Sequence, residues 1–159
     1  MMNTKLLSIG FLLIFIAGLV IGTGTGLVTA TVKTVDNRNK ASPSDWVHPE
    51  QIKVYKDKIV IDEQNVVWAE FTDTKSMDPV FDSTAHALEI VPKTAEQINI
   101  GDIISYNSPY SELPIIHRVT EVGNDGSWYA VVKGDNNDTS DPGKVRFKDV
   151  NRVVIGIIY

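Results

Sequence analysis

The sequence predicts a mainly β protein, a coiled, barrel-like antiparallel sheet carried on one amino-terminal transmembrane helix. Three observations lead there. The chain has no charged residue between Lys5 and Lys33, so its apolar weight is concentrated at the start. After residue 50, short runs rich in Val, Ile, Tyr and Trp recur, most of them bounded by Gly, Pro, Asn or Asp, which is how strands and their turns read. No apolar stripe of helical period and useful length follows the first segment, and no internal repeat is present.

The amino-terminal run is strongest from Leu6 to Ile21 and continues more weakly through Gly22–Val28. A membrane span needs about 20 apolar residues at helical rise, and the run reaches that length when its Gly/Thr part is included. Its rival is a cleaved secretory leader, for which Val28-Thr29-Ala30 offers small residues. The apolar core is longer than the usual leader, about 7–15 residues, so a retained anchor over residues 1–30 is the expectation. Residues 31–50 are polar, with Asn37-Arg38-Asn39-Lys40 and Ser42-Pro43-Ser44, and read as a linker. Trp46 suits either the lipid headgroups or the first packing contact of the domain. His48 and His86 read as loop residues.

Residues 51–159 form the β domain. Ile52–Tyr55 and Ile59–Ile61 flank Lys56-Asp57-Lys58 and predict a hairpin. A strand over Asn65–Phe71 follows, then strands at Ala87–Val91, Asp102–Tyr106, Pro114–Val122, Trp128–Lys133 and Val153–Tyr159. Only Thr94–Ile98 hints at a helical turn.

Composition removes several function classes. The 159 residues leave room for one domain and an appendage, and the absence of cysteine excludes disulfides, thiolate catalysis and cysteine-ligated metals. The net charge is −5 and the basic residues are scattered. A nucleic-acid partner is not expected, because such binding rests on phosphate neutralisation by a basic face.

What remains is a constellation of three residue types. Ser76 lies in Thr74-Lys75-Ser76-Met77-Asp78-Pro79, expected just past a strand in stiff backbone with its hydroxyl exposed. His117 lies in Ile115-Ile116-His117-Arg118-Val119, and Asp135, Asp138 and Asp141 share a loop after Lys133. A serine hydroxyl becomes a nucleophile when a neighbouring imidazole takes its proton, and a carboxylate then fixes that imidazole's tautomer. Each residue also has a plainer reading: a turn serine, a histidine among apolar neighbours, solvated loop carboxylates. A calcium loop lacks the required spacing and closing Glu, so no metal and no cofactor are expected.

Four ordered segments resemble the type I signal peptidases of the endoplasmic-reticulum and archaeal kind. Ser76-Met77-Asp78-Pro79 is similar to that family's Ser-Met-x-Pro box. Gly101-Asp102-Ile103-Ile104-Ser105-Tyr106 is similar to its Gly-Asp-Ile/Val strand, and Ile116-His117-Arg118-Val119 to its His-Arg-Val box. Lys133-Gly134-Asp135-Asn136-Asn137 with Asp141 is similar to its Lys-Gly-Asp-Asn-Asn loop and downstream acid. The resemblance spans roughly residues 65–159 plus the anchor, and four boxes in order are more specific than any one of them.

The resemblance implies the signal-peptidase fold and a membrane-bound serine endopeptidase. Such an enzyme cleaves signal-peptide-bearing preproteins after small residues at −1 and −3, at the lipid bilayer and alongside other membrane subunits. It implies Ser76 as nucleophile, His117 as general base and Asp141 as the orienting acid, with Asp135 supporting the loop. The backbone N–H of Ser76 and the hydroxyl of Thr74 would serve the oxyanion, and Met77, Val80 and Phe81 would form an apolar lip toward lipid or substrate. The chain departs from the family's pattern at Thr74-Lys75, in the link 82–99, and at Pro142, which restricts Asp141 and leaves Asp138 or Asp135 as alternative acids. Two rivals stand beside this reading. One is a non-catalytic tethered domain; the other is a self-processing Ser–Lys peptidase, for which Lys75 is poorly placed next to Ser76. The charges flanking the anchor lean toward a cytoplasmic domain by about one charge. The implied activity requires a single-pass protein with its domain outside.

Overall fold

The computed structural model describes residues 40–159. The anchor expected over residues 1–30 and the first part of the linker lie outside the described residues. Among the described residues no helix is long and apolar enough to cross a membrane.

Nine strands form. The hairpin of β1 (Ile52–Val54) and β2 (Ile59–Ile61) stands as a two-stranded sheet of its own, closed by the Tyr55 N–H bonding to the Lys58 carbonyl at 2.8 Å. The other seven are β3 (Val67–Glu70), β4 (His86–Ile90), β5 (Ile103–Tyr106), β6 (Ile115–Asn124), β7 (Trp128–Lys133), β8 (Val145–Arg146) and β9 (Val150–Ile158). They pair antiparallel in the order β3-β4-β9-β5-β6-β7-β8 and curl into a half-barrel. Register shifts at Leu88/Glu89, Ser105/Tyr106 and Val119/Glu121 place extra residues in the ladder, which bends strands and increases their twist.

The last strand is a central one: β9 enters between β4 and β5, so the carboxyl-terminal residues complete the sheet. Two apolar clusters lie on its two faces. Ile104, Tyr106, Val119, Val132 and Val153 belong to one cluster, and Ile103, Val154, Ala87, Met77 and Phe81 to the other. Because successive side chains point to opposite faces, the neighbours Ile103-Ile104 and Val153-Val154 feed both. Burial on two faces is why these strands read as continuous apolar runs rather than alternating ones.

Three expectations are revised, and a fourth, the helical turn, is met. His86 is not a loop residue: it opens β4 opposite Glu70 and stacks on Trp68 with ring centroids 4.7 Å apart. A short strand, β8, went unanticipated, because only two residues, Val145 and Arg146, pair with β7. The helical turn near 94–98 is a single 3₁₀ turn, Ala95–Gln97. Most importantly, the segment 40–46 is bound to the domain rather than hanging from it. The Ser44 N–H donates to buried Asp102 at 2.6 Å, the Ala41 carbonyl accepts from Arg118 at 3.2 Å, and Trp46 packs against the first cluster. Gly101, at φ 103°, allows that approach: a Cβ there would stand 2.0 Å from the Ser42 carbonyl oxygen.

Candidate active site

A cleft of about 820 Å³ opens on the face of the second cluster, and Thr74, Lys75, Ser76, Met77, Phe81 and His117 are among the residues that line it. Three pieces of chain bring the candidate residues to this region: the turn after β3, the strand β6, and the loop that follows β7.

Ser76 does not sit at a strand end as expected. The strand β3 stops at Glu70, and the chain then runs through an irregular stretch in which Lys75 adopts a left-handed conformation, φ 58°. That backbone turn is uncommon for a residue with a Cβ, and the surroundings hold it in place. The Asn136 N–H donates to the Ser76 carbonyl at 2.8 Å and the Asn136 side chain to the Lys75 carbonyl at 3.0 Å. The Asp135 N–H reaches the Met77 sulfur at 3.4 Å. Gly134 lies so close beneath this turn that a Cβ would be 2.7 Å from the Ser76 carbonyl oxygen. The Lys-Gly-Asp-Asn-Asn loop is therefore the mould in which the Ser76 turn is cast.

His117 and Arg118 are consecutive residues of β6, so they point to opposite faces, and each takes a different carboxylate of the same loop. His117 Nδ1 lies 2.5 Å from Asp141 Oδ2, with both side chains largely buried. Asp141 comes back to β6 because its own N–H bonds to the Val132 carbonyl at 2.9 Å, alongside β7. The Tyr106 hydroxyl donates to the same Asp141 oxygen. Burial pushes the Asp141 carboxyl up, but the hydrogen bonds from His117 and Tyr106 and the His117 charge together outweigh it and hold the group below its ordinary value. The Tyr106 phenol is driven up, first by burial and then by its bond to Asp141 and that residue's charge, so it stays a donor. With Nδ1 committed to Asp141, Nε2 is the ring nitrogen outside that pair.

Asp135 is the partner of Arg118, not of His117. The guanidinium donates through Nε to Oδ1 at 2.9 Å and through Nη2 to Oδ2 at 2.7 Å, the bidentate geometry that planar forks favour. Its remaining nitrogen, Nη1, donates to the carbonyls of Gly101 and Ala41, so this buried cation is fully engaged. Asp138 is exposed. Asp135 and Asp141 are thus turned inward to the protein rather than outward around a cation.

Thr74 lies beside Ser76: the two hydroxyl oxygens are 3.1 Å apart, and the Ser76 N–H points at Thr74 Oγ1 at 3.4 Å. Met77 and Phe81 are 3% and 4% exposed, which does not fit a lip that projects toward lipid. They belong to the second cluster, Phe81 stacking on Phe71, and present only a wall to the cleft; Val80 is half-buried at the cluster's edge. Apolar side chains this close to the sheet are more stable inside it than against solvent. Lys75 is exposed and lacks the burial that a lysine base requires.

Over 66 residues the chain is 30% identical to the signal peptidase complex catalytic subunit sec11 of Schizosaccharomyces pombe. The likeness is to a signal peptidase. It takes in 38% of this chain and 35% of that protein, so the chain spans about a third of the length of the curated relative it matches. No family model matches the chain, and no solved structure does.

Several contributors to the site had been given no role from sequence: Tyr106, Arg118, Gly134 and Asn136. All four stand inside the quoted boxes, so their signal was position within a box, not residue type. A further polar group in the cleft, Glu89, Ser105 and Arg152, gave no signal, because these residues lie on three strands far apart in the chain.

Proposed function

We propose that this chain is a membrane-bound serine endopeptidase of the signal peptidase kind, of the endoplasmic-reticulum and archaeal type. The observation that carries the reading is the hydrogen bond between His117 Nδ1 and Asp141 at 2.5 Å, made by a histidine that lines the same cleft as Ser76. A carboxylate on Nδ1 fixes the tautomer that a general base at Nε2 requires.

In this reading Ser76 Oγ attacks the carbonyl carbon of the scissile peptide while His117 Nε2 takes the hydroxyl proton. Asp141 keeps the other nitrogen protonated and stabilises the imidazolium that results, without itself taking the proton. Tyr106 adds a second hydrogen bond to Asp141 and holds its carboxylate ready to accept from the ring. The tetrahedral oxyanion receives hydrogen bonds from the Ser76 N–H and the Thr74 hydroxyl, and removing one such donor typically costs about 100- to 1,000-fold in rate. The C–N bond then breaks as His117 returns the proton to the leaving amine. A water molecule, deprotonated by the same nitrogen, hydrolyses the acyl-enzyme and restores Ser76. Arg118 and Asp135 act through the loop that positions Ser76. The substrates in this reading are preproteins cut after small residues at −1 and −3, at the extracytoplasmic face of the bilayer, with other membrane subunits as partners.

A non-catalytic domain of the same fold is the second reading, favoured by one observation. Ser76 Oγ has Thr74 Oγ1 as its hydrogen-bond partner among the described residues, not His117. Catalytic hydrogen bonds in substrate-free enzymes are often long and tighten on binding, so the two readings separate by experiment. The full chain is incubated with a fluorogenic peptide carrying an Ala-x-Ala site and compared with Ser76→Ala. Cleavage is expected to fall by on the order of 10⁴-fold while the far-ultraviolet circular dichroism is unchanged. A variant retaining about a tenth of the wild-type rate would exclude Ser76 as nucleophile.

A further inference from the structure

Beside the candidate triad, the same cleft contains a group of buried polar side chains that the mechanism does not use. Glu89 on β4 and Ser105 on β5 are each 3% exposed, and Arg152 on β9 is half-buried. Ser105 pairs directly with Arg152, while Glu89 pairs with Val154, two residues along β9 from Arg152. The two-residue repeat therefore places all three side chains on one face of three adjacent strands. It is the face of Ile103 and Val154, on which Met77 also packs.

One polar atom of each goes without a hydrogen-bond partner. Glu89 Oε1, Ser105 Oγ and Arg152 Nε are sealed from solvent and make no hydrogen bond of acceptable geometry. Burial raises the Glu89 carboxyl, and the nearby Ser105 hydroxyl and Arg152 charge only partly offset this. Buried polar atoms without partners typically cost about 1–3 kcal/mol each, and a fold seldom keeps three together unless something fills them. Most of the surrounding cleft is apolar, contributed by Ala69, Phe71, Met77, Phe81, Ile115 and Ile116.

We propose that Glu89, Ser105 and Arg152 form a polar subsite that takes an amide group of the bound peptide. Glu89 accepts from the amide N–H, Arg152 Nε donates to its carbonyl oxygen, and Ser105 serves either. The acceptor and donor of an amide are fixed in one plane, which matches an acceptor on β4 beside a donor on the adjacent β9, with the β5 hydroxyl on the other side of β9. The amide is either a backbone peptide group or the carboxamide of Asn or Gln, and these share the recognition chemistry. The inference rests on a peptide occupying the cleft but not on that peptide being cut.

The test reads binding without cleavage. Full-length ¹⁵N-labelled Ser76→Ala is titrated with N-acetyl-glutamine N-methylamide and, separately, with N-acetyl-norleucine N-methylamide, which has secondary backbone amides but no primary carboxamide. The signals followed are the Arg152 Nε–H and the backbone N–H groups of Glu89 and Ser105. Saturable shifts with both probes assign the subsite to a backbone amide; shifts with the glutamine probe alone assign it to a side-chain carboxamide. In Glu89→Leu the apparent affinity is expected to fall by about tenfold, the loss of one hydrogen bond to a charged group. Urea unfolding checks that this variant is folded, because Arg152 loses its neighbouring carboxyl. If neither probe moves these signals, or if Glu89→Leu binds unchanged, the group holds only water or serves stability and the proposal falls. An inactive wild-type enzyme that still binds the probes through Arg152 would overturn the peptidase reading and leave this one standing.

Discussion

Replacing Gly134 by alanine tests whether the loop after β7 is what holds the nucleophile. A Cβ at this buried position would lie 2.6 Å from the Asn137 Nδ2 atom and 2.7 Å from the Ser76 carbonyl oxygen, whereas ordinary contact begins at 3.4 Å. The Asn137 carboxamide is the end of a side chain and can rotate away. The Ser76 carbonyl is backbone, already bonded to the Asn136 N–H at 2.8 Å, so it moves only if the whole turn moves. The required shift is about 0.7 Å, the shortfall between those two distances. A misplacement of about 1 Å at a reacting group can cost on the order of 100-fold. Gly134→Ala is therefore expected to lose about 10- to 100-fold in kcat on the Ala-x-Ala peptide, with KM little changed. Overpacking should destabilise the domain by about 1–3 kcal/mol, read by urea denaturation, and leave it folded. The double variant Gly134→Ala/Asn137→Ala should stay slow, because the backbone clash remains. Wild-type kcat in the single variant, or full recovery in the double one, would show that Asn137 absorbs the clash and that the loop does not position Ser76.

Three further outcomes are expected. His117→Lys should be inactive at neutral pH, since Asp141 would stabilise the ammonium form and a lysine base must be neutral; substantial cleavage by this variant would show that no carboxylate governs residue 117. The Asp141 carboxyl is held below its ordinary value, so its contribution to stability is present above the unfolded value, about 3.9, and lost as pH falls through the folded one. The stability gap between wild type and Asp141→Asn, followed by urea unfolding at stepped pH, should therefore be widest above about pH 4 and close below it; a gap that persists undiminished in acid would contradict the linkage. Finally, a tag placed after Tyr159 should be digested by protease added to intact cells or spheroplasts, with Leu6 to about Val28 as the span. A tag that survives until the membrane is permeabilised places the domain inside and removes the signal-peptidase reading.

Local chemistry was legible from the chain alone. The β-branched runs between Gly, Asp and Asn marked β4 to β7 and β9 to within a few residues, because side-chain alternation and turn residues act over short range. The four boxes marked Ser76, His117 and the loop of Asp135 and Asp141 as one candidate constellation. Which acid goes with which base was not legible. Asp135, Asp138 and Asp141 are equivalent as loop carboxylates, and only the folded sheet directs His117 to one face and Arg118 to the other, each with its own partner. The left-handed turn at Lys75, the burial of Met77 and Phe81, and the docking of residues 40–46 on Asp102 and Arg118 were likewise decided at long range. So was the meeting of Glu89, Ser105 and Arg152, which exists only because β9 inserts between β4 and β5. A one-dimensional pattern records what each residue prefers beside its chain neighbours. Strand pairing between residues dozens of positions apart determines which polar groups must then share one buried space.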